Sequence, residues 1–221
     1  ARTVTGSCFV LEMNGHRFAV DCGMHQGNNE IDKRNWDTTL YEPETLEFIL
    51  VTHAHIDHSG LLPKLVKQGF KGQIHSTRVT EELCEILLPD SAHIQESEAE
   101  RANRKGMRAG KPEVKPLYTV DEAEAALKHF VPHIYNEKIE LYNGIDFTFR
   151  NAGHILGSAF IEFSITENGK ETKIVFSGDV GQPGQPIIKD PSRVPQADFI
   201  ITESTYGDRV HPVYDREEEL R

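Results

Sequence analysis

The sequence contains little cysteine and no long apolar run. Its three cysteines, Cys8, Cys22 and Cys84, are odd in number and lack CxxC spacing, which argues against a disulfide framework or a cysteine metal knuckle and favours a reducing compartment. No apolar stretch approaches the ~18–20 residues that a transmembrane helix requires, and no basic segment followed by an apolar one opens the chain. These absences predict a cytoplasmic protein with no membrane contact.

Positive charge is also scarce. The chain has 24 lysine and arginine residues against 35 acidic residues, and its formal net charge is −11. This balance argues against broad electrostatic attraction to nucleic acid, so a polyanionic partner must be held by local features. With 221 residues, of which 38% are hydrophobic and 27% charged, the composition is that of one globular domain with a buried core.

The order of the apolar patterns predicts an α/β sandwich. Asn14-Gly15 separates two β-rich runs and indicates a hairpin, and Thr119 with Glu122 forms a capping box ahead of a helix at about 120–129. Strands, then helices, then strands again are typical of packed sheets with helices outside. The other predicted elements are strands at 7–12, 16–21, 47–52, 139–142, 145–150, 159–166 and 173–176, a further buried strand at 197–202, and helices at 79–88 and 91–105.

Three histidines and an aspartate crowd the stretch THAHIDHSG, directly after the predicted strand 47–52. His53 and His55 are two residues apart, so in extended backbone both rings face one point, and Asp57 and His58 follow at the turn into a helix. Imidazoles and carboxylates together suit Zn²⁺ or a similar transition ion. Packing gives no reason for three titratable rings at a strand end, so the cluster predicts a metal site with two groups of ligands.

Further ligands must come from other parts of the chain. His154 lies in a glycine-flanked turn, and Asp179 and Asp21 each follow an apolar run and precede glycine. Such residues at several strand ends build a site on a rigid sheet edge. Taken singly, each is more commonly an ordinary loop or turn residue. The remaining histidines have no comparable context and are interpreted as structural or exposed; they are His16, His25, His75, His93, His129 and His133.

One short segment reverses the acidic balance of the chain. Residues 101–115 carry six basic side chains and a single acid, Glu113. The commoner fate of such a run is a solvated flexible loop, and contact with nucleic acid is the alternative. The candidate contact residues are Arg101, Arg104, Lys105, Arg108 and Lys111, with Lys115 at the end of the run.

The motif HxHxDH in THAHIDHSG resembles the metal signature of the metallo-β-lactamase superfamily, whose fold is an αββα sandwich. The segments NAGHILGSA, FSGD and ITESTYGDRVH, with ARTVTGSCFVLE and PLYTVDEAE, are similar to its β-CASP branch of RNA-processing nucleases, which includes the endonuclease subunit of the cleavage and polyadenylation machinery and bacterial and archaeal relatives. The resemblance covers nearly the whole chain. It implies a zinc-dependent hydrolase of RNA phosphodiesters, with single-stranded RNA favoured and cleavage either internal or from an end.

The resemblance also implies a role for each matching residue. Two zinc ions would activate a water as hydroxide for attack on phosphorus, so Asp57 and Asp179 would be catalytic as well as metal-binding. Asp21 would orient the histidine loop. Glu203 matches the acidic residue that begins the β-CASP part and supports a downstream histidine. The implied ligands are His53, His55 and His154 for one zinc, Asp57 and His58 for the second, and Asp179 as the bridge.

The chain differs from the β-CASP pattern in one large way. Members of that branch continue into a cap domain and then return to the lactamase fold with two more histidines, whereas this chain stops at Arg221. We therefore expect residues 1–221 to be the N-terminal part of a metallo-β-lactamase domain, with an incomplete sandwich and a junction to a cap domain at about 205–221. The chain alone is expected to hold the second zinc weakly, to cleave RNA poorly or not at all, and to self-associate, with a homodimer as one form.

Two other functions stay open on the sequence alone. A small-molecule hydrolase of the same superfamily, acting on a thioester or a lactam, would use the same ligands, although the TESTYG segment and the basic run favour RNA. A non-catalytic interaction module is the second alternative. The complete set of metal ligands argues against it for a longer protein, but not for this chain alone.

Overall fold

The apolar runs of the chain form two five-stranded sheets that pack face to face. The computed structural model describes residues 5–38, 41–107 and 110–208. The strands of the first sheet are β1 (Phe9–Met13), β2 (His16–Val20), β3 (Phe48–Leu50), β4 (Gln73–Thr77) and β5 (Phe130–His133). They lie in the order β1-β2-β3-β4-β5, in which β1 and β2 are antiparallel and the other neighbours are parallel.

The second sheet comes from the later part of the chain. Its strands are β6 (Lys138–Tyr142), β7 (Ile145–Asn151), β8 (Ala159–Glu167), β9 (Lys170–Phe176) and β10 (Phe199–Ile201). They lie in the order β10-β9-β8-β7-β6, in which β10 and β9 are parallel and the other neighbours are antiparallel. Helices lie in the connections between the parallel strands of the first sheet, whereas two-residue turns join β6 to β7 and β8 to β9 in the second sheet, and an irregular segment without a helix joins its parallel strands β9 and β10.

The helices lie on the outer face of the first sheet. They are α1 (Asn29–Asp32), α2 (Ile56–Ser59), α3 (Leu62–Lys67), α4 (Arg78–Met107) and α5 (Val120–Leu127), with 3₁₀ turns at Lys33–Trp36 and Pro43–Thr45. In the described residues no helix covers the outer face of the second sheet, so the layers seen are helices, sheet and sheet. None of the described helices has the length and apolar character needed to span a membrane.

Alternation along the short strand β3 separates two cores. Phe48 and Leu50 face the second sheet and pack among its phenylalanines, whereas Ile49 points to the helices. Successive side chains of a strand point to opposite faces, so three consecutive apolar residues serve both layers. This double burial is typical of a parallel strand covered on both sides, and it makes the backbone at the end of β3 a rigid support.

Several predicted elements are confirmed. The hairpin around Asn14-Gly15 is β1–β2, and both residues have the positive φ angles that a two-residue hairpin turn demands. The helix α5 begins with the predicted capping box, in which the Thr119 hydroxyl accepts from the Glu122 N–H and the Glu122 carboxylate accepts from the Thr119 N–H. The predicted strands of the second sheet are all present within one to three residues of their expected ends.

The two helices predicted at 79–88 and 91–105 are wrong as separate elements, because one 30-residue helix, α4, runs through both. Pro89 lies inside it and has no N–H to donate to the carbonyl of Glu85. Because Glu85 is exposed, water can donate a hydrogen bond to that carbonyl instead. The buried residues Cys84, Leu88 and Ala92 are spaced four apart on one face and continue across the proline. Burial of that face outweighs the local cost.

The strand predictions fail at three places. β4 and β5 were not predicted, since each is short and mixes polar with apolar residues, and their strand form depends on parallel pairing with β3 and with each other. The prediction of a buried strand at 197–202 is wrong about burial: among the described residues β10 is the outermost strand of the second sheet, and Phe199 and Ile200 are 61% and 55% exposed. Apolar composition alone cannot distinguish a central strand from an edge strand.

Candidate metal centre

Five strand ends meet at one edge of the sandwich and carry the predicted site residues. The N–H of Ala159 at the start of β8 donates to the carbonyl of Thr52 just beyond β3 at 2.8 Å, and so joins the two sheets at this edge. Loops at the carboxyl ends of neighbouring strands are the usual place for a functional site in such folds. The residues lie after β2 (Asp21), β3 (His53, His55, Asp57, His58), β7 (His154), β9 (Asp179) and β10 (Glu203).

Four side chains converge on one point in this edge. His55 Nδ1 lies 3.1 Å from His53 Nε2 and 3.2 Å from His154 Nε2. Asp179 Oδ2 lies 3.9 Å from His53 Nε2 and 3.6 Å from His154 Nε2. The four ligand atoms all lie within 4.8 Å of one another. The structure therefore brings together residues that are up to 126 positions apart in the chain.

The arrangement fits a tetrahedral metal ion. Bonds of ~2.0–2.2 Å to zinc would place tetrahedral ligand atoms about 3.3 Å apart. The two nitrogen–nitrogen distances of 3.1 and 3.2 Å match this separation, and the two distances to the carboxylate oxygen, 3.6 and 3.9 Å, are somewhat longer. Metal binding also needs neutral imidazoles with free lone pairs. Burial, helped by the neighbouring His58 charge, lowers the pKa of His53 well below its ordinary value, and burial with the neighbouring His154 lowers the pKa of His55. Three imidazoles and one carboxylate form a candidate metal-ligand set.

A second group of ligand-type residues meets the other oxygen of Asp179. His58 Nε2 lies 3.2 Å from Asp179 Oδ1 and 3.9 Å from Asp57 Oδ2. Asp179 thus presents one carboxylate oxygen to each group. Burial lowers the pKa of His58, but the carboxylates of Asp21 and Asp179 outweigh it and raise that pKa to about 10. Burial raises the pKa of Asp179, but its hydrogen bond to His58 and the charge there outweigh this effect and lower it to about 2.

Asp21 holds the histidine segment from behind the ligands. Its Oδ1 accepts from the Thr52 N–H at 2.8 Å, and its Oδ2 accepts from the Thr52 hydroxyl at 2.9 Å and from His58 Nδ1 at 2.8 Å. The Thr52 hydroxyl has one proton, which goes to Asp21, so it accepts from His53 Nδ1 at 3.0 Å. That contact leaves the lone pair of His53 on Nε2, the nitrogen that faces the other ligands. Asp21 therefore orients two of the three clustered histidines.

Glycines let the ligand segments approach within backbone contact. A Cβ on Gly23, which follows Asp21 by two residues, would lie 1.5 Å from the carbonyl oxygen of Asp57. A Cβ on Gly181, two residues after Asp179, would lie 1.6 Å from the carbonyl oxygen of Gly153, next to His154. Neither neighbour is a flexible side chain, so only glycine is accommodated at these two positions. The close backbone contacts set the spacing between the ligands.

The comparison with known families agrees with this geometry. A family model described as the metallo-beta-lactamase superfamily matches residues 1–217. The chain belongs to the metallo-β-lactamase superfamily. The expected fold class and the mixed α/β sandwich are thereby confirmed, and so is a metal-binding cluster of the kind that this superfamily uses.

Curated relatives of this chain include a ribonuclease, a transcription termination factor and a cleavage and polyadenylation factor. Ribonuclease TTHA0252 from Thermus thermophilus is 36% identical over 214 residues, which are 97% of this chain and 44% of that protein. Transcription termination factor FttA from Methanosarcina mazei is 33% identical over 213 residues (93% and 30%), and cleavage and polyadenylation specificity factor 73 from Drosophila melanogaster is 29% identical over 207 residues (93% and 27%). These matches confirm the resemblance to the β-CASP branch. The chain spans less than half the length of each relative.

Glu203 lies beside the metal-ligand edge but does not touch the ligands through its carboxylate. Its Oε1 accepts from the N–H of Val180, the residue after Asp179, at 2.8 Å, and its own N–H donates to Ser177 Oγ at 3.1 Å. The parallel pairing of β10 with β9 brings these segments together. A cavity of about 570 Å³ opens here, lined by Asp57, His58, Asp179 and Glu203 together with Phe9 and Phe176. The cavity is large enough for a small polar ligand group.

Two residues that support the ligands were missed by sequence reasoning. Thr52 directly precedes the histidine cluster and links Asp21 to His53. Ser158 closes the His154 turn, since its Oγ accepts from the N–H of His154 at 3.0 Å and from that of Ile155 at 3.2 Å. Both lie inside motifs that were recognised, THAHIDHSG and NAGHILGSA, but a hydroxyl gives no signal of its own until its partners are known.

The predicted basic contact residues do not lie at the metal centre. Arg101, Arg104 and Lys105 are exposed near the end of α4, and Lys111 is exposed in the segment that follows. The predicted loop is thus helical up to Met107. Arg108 lies outside the described residues. Among the histidines interpreted as structural, His75 and His133 pair at 2.9 Å between the sheets, and His93 is exposed on α4.

Proposed function

We propose that the metal centre of this chain hydrolyses phosphodiester bonds of RNA, with single-stranded RNA as the substrate. The observation that carries the proposal is the convergence of His53, His55, His154 and Asp179, with Asp57 and His58 around the second oxygen of the same carboxylate. Two adjacent ligand groups that share a carboxylate suit the two-metal displacement at phosphorus. The names of the relatives, among them a ribonuclease and a cleavage and polyadenylation factor, support RNA as the substrate class.

Zinc is the metal that we propose, because imidazole nitrogens with carboxylate oxygens in a tetrahedral arrangement suit it. When bound, two zinc ions would lower the pKa of a water near neutrality and stabilise negative charge on the phosphoryl oxygens. His53, His55 and His154 would hold the first ion, Asp57 and His58 the second, and Asp179 both. Each site needs at least three protein ligands, so the chain supplies a full set for the first ion and a minimal one for the second.

The remaining residues act on the ligands. Asp21 fixes His58 through its 2.8 Å hydrogen bond and, through Thr52, sets the orientation of His53. Glu203 fixes the turn that carries Asp179 by holding the Val180 N–H. These contacts keep the imidazole lone pairs and both oxygens of Asp179 aimed at the ion positions before substrate arrives, which is how electrostatic stabilisation avoids reorganisation during the reaction. The cap-domain junction at 205–221, a homodimer and a cytoplasmic location stay predictions.

The experiment compares His55→Ala with His93→Ala, because both remove an imidazole but only His55 faces the ligand group. Activity is measured on the full native polypeptide that carries this chain, with labelled single-stranded RNA, and zinc content is measured on the same samples. We expect His55→Ala to lose zinc and RNA cleavage together, whereas His93→Ala keeps both. Treatment with a chelator should abolish cleavage by the unmodified protein, and added zinc should restore it.

Two results would contradict the proposal. One is RNA cleavage that survives in His55→Ala at the unmodified rate, because the reaction would then not depend on this centre. The other is hydrolysis of a chromogenic lactam or thioester without any RNA cleavage, which would assign the same metal centre to a small-molecule substrate.

A further inference from the structure

The last third of α4 lies outside the described hydrophobic clusters, although Ala99 and Gly106 are buried in it. In the part of the chain that the structure describes, no residue of α4 beyond Ala92 belongs to a hydrophobic cluster. The helix nevertheless continues to Met107, and the segment 110–118 returns along it. We call residues 101–107 and 110–115 the basic arm. It carries five exposed basic residues, Arg101, Arg104, Lys105, Lys111 and Lys115.

The basic arm is held in shape by its own hydrogen bonds. Asn103 Nδ2 donates to the carbonyl of Val114 and Asn103 Oδ1 accepts from the N–H of Val114, both at 2.8 Å. The N–H of Lys111 donates to the carbonyl of Gly106 at 3.1 Å. A side chain that satisfies both backbone groups of a facing residue ties the return segment to the helix. The basic residues therefore sit on an ordered support, which distinguishes this segment from the solvated loop that its composition predicts.

The basic side chains of the arm are exposed to solvent and can bind a ligand. Arg101, Arg104 and Lys105 have i, i+3 and i+4 spacing and share one face of α4, opposite to the buried Ala99 and Gly106. None of these three side chains forms an ion pair with a carboxylate of the described residues. In a protein with a net charge of −11, a cluster without internal partners is a local attraction for a polyanion.

The start of the same helix contacts the turn that carries His154. The hydroxyls of Thr77 and Thr80 donate to the carbonyl of Gly157, in the turn that carries His154, at 2.7 Å and 3.0 Å. From Thr80 to Arg104 is 24 residues, so at 1.5 Å per residue the helix separates them by about 36 Å, slightly less if Pro89 bends it. The basic arm therefore cannot touch the phosphate that is being cleaved. A strand stacked at ~3.4 Å per nucleotide covers this distance in about ten nucleotides.

We propose that the basic arm is an electrostatic anchor that binds RNA phosphates about ten nucleotides away from the bond at the metal centre. This inference rests on the proposed function and deepens it, because it makes RNA length a determinant of affinity. RNA shorter than the gap would occupy the metal centre without reaching the arm. Longer RNA would contact both, and its binding would release counterions at the arm as well.

The test compares two variants of equal charge change on the full native polypeptide. The arm variant is Arg101→Ala with Arg104→Ala and Lys105→Ala. The control variant is Lys71→Ala with Lys128→Ala and Lys170→Ala, three exposed lysines at the opposite, amino ends of β4, β5 and β9. Two labelled single-stranded RNAs are used, of about 6 and about 30 nucleotides, so that one is shorter and one longer than the ~10-nucleotide gap. Their binding is measured with chelator present, over a range of salt. Cleavage of the short RNA is measured with zinc.

We expect the arm variant to bind the long RNA about tenfold or more weakly, and the slope of log affinity against log salt to fall by about two, which is ~0.7 per lost phosphate contact. Binding and cleavage of the short RNA, zinc content and melting temperature should match those of the unmodified protein. The control variant should change the slope for long RNA by less than half as much.

Unchanged affinity and slope for long RNA in the arm variant would overturn the anchor alone. An equal loss for both lengths would show an effect on the metal centre and would also overturn it. If the unmodified protein neither binds nor cleaves either RNA, the proposed function fails and the anchor fails with it.

Discussion

The metal centre and the basic arm are built from contacts of very different range. At the metal centre His55 meets His154, 99 residues further along the chain, and the candidate ligands come from three separate segments, which follow β3, β7 and β9. In the basic arm the bonds between Asn103 and Val114 span 11 residues. A site assembled from distant segments depends on the packing of both sheets, whereas a helix with a short return depends on little else. The same substitution should therefore have much larger effects in the first region than in the second.

The largest expected effect comes from removing Asp179, the carboxylate that we propose both metal ions share. Asp179→Asn keeps the side-chain shape but takes away the carboxylate that faces both ligand groups, while Asp90→Asn makes the same change at an exposed position of α4. We expect zinc affinity to fall by more than the ~10–100-fold typical of losing an outer hydrogen-bond partner, and RNA cleavage to be lost. Metal titration by a competing chelator measures the affinity. Zinc binding by Asp179→Asn at the level of Asp90→Asn would contradict the ligand assignment.

The next largest effect is expected at Asp21, which hydrogen-bonds to Thr52 and His58. Asp21→Ala removes the acceptor for two groups of Thr52 and for His58, and leaves these buried donors without a partner. Loss of one member of a buried ion pair costs about 3–5 kcal/mol, so the free energy of unfolding should fall by an amount in that range. Asp21→Asn tolerates the positive φ of 58° and keeps an oxygen for Thr52, so it should lose less. Denaturation in urea compares the three proteins. Equal stability of Asp21→Ala and the unmodified protein would exclude this role.

Two glycine substitutions sharpen the comparison between the regions. Gly23→Ala would push a methyl group into the carbonyl of Asp57, and we expect it to destabilise the protein by about 1–3 kcal/mol or more and to weaken zinc binding. In the basic arm a Cβ on Gly106 would lie 3.4 Å from Lys111 Cβ, an ordinary contact. Gly106→Ala should stabilise the helix by up to about 1 kcal/mol and leave zinc binding unchanged. Thermal unfolding measures both changes: the melting temperature should fall for Gly23→Ala and rise for Gly106→Ala. Destabilisation of the same size by both changes would show that the arm is as tightly interlocked as the metal centre.

The smallest effect is expected at Glu203. Glu203→Ala removes the acceptor of the Val180 N–H, but this N–H is partly exposed and can donate to water instead. We therefore expect zinc affinity to fall only about threefold to tenfold, near the lower end of the range for such hydrogen-bond partners. Glu203→Gln retains an oxygen for the same N–H and should restore most of the affinity. Melting temperatures without metal serve as the control. A loss in Glu203→Gln equal to that in Glu203→Ala would mean that the charge matters and the hydrogen bond does not.

Sequence reasoning succeeded where a signal is local. The histidine cluster at 53–58, the Asn14-Gly15 hairpin and the Thr119 capping box are each contained in a few consecutive residues, whose backbone geometry follows from residue type. It also singled out His154 and Asp179 as candidates, because a histidine or aspartate beside glycine at the end of an apolar run marks a loop at a strand end, and the structure brings both side chains to His53 and His55. The pairing of these residues with the cluster came from a family resemblance, since spacing alone does not tell which strand ends are neighbours.

The sequence by itself determined the residue types of the metal centre and the charge of the basic arm, because both are properties of short segments. The tertiary structure alone decided that the four ligand atoms meet within 4.8 Å, that Asp21 reaches His58 and Thr52, and that β4 and β5 are strands at all. It also joined two predicted helices into α4 and so placed Arg104 about 36 Å along the helix from Thr80, which contacts the turn that carries His154. Packing of the Cys84, Leu88 and Ala92 face kept that helix intact through Pro89, and long-range burial of this kind outweighs local propensity without leaving a mark in any short stretch of sequence.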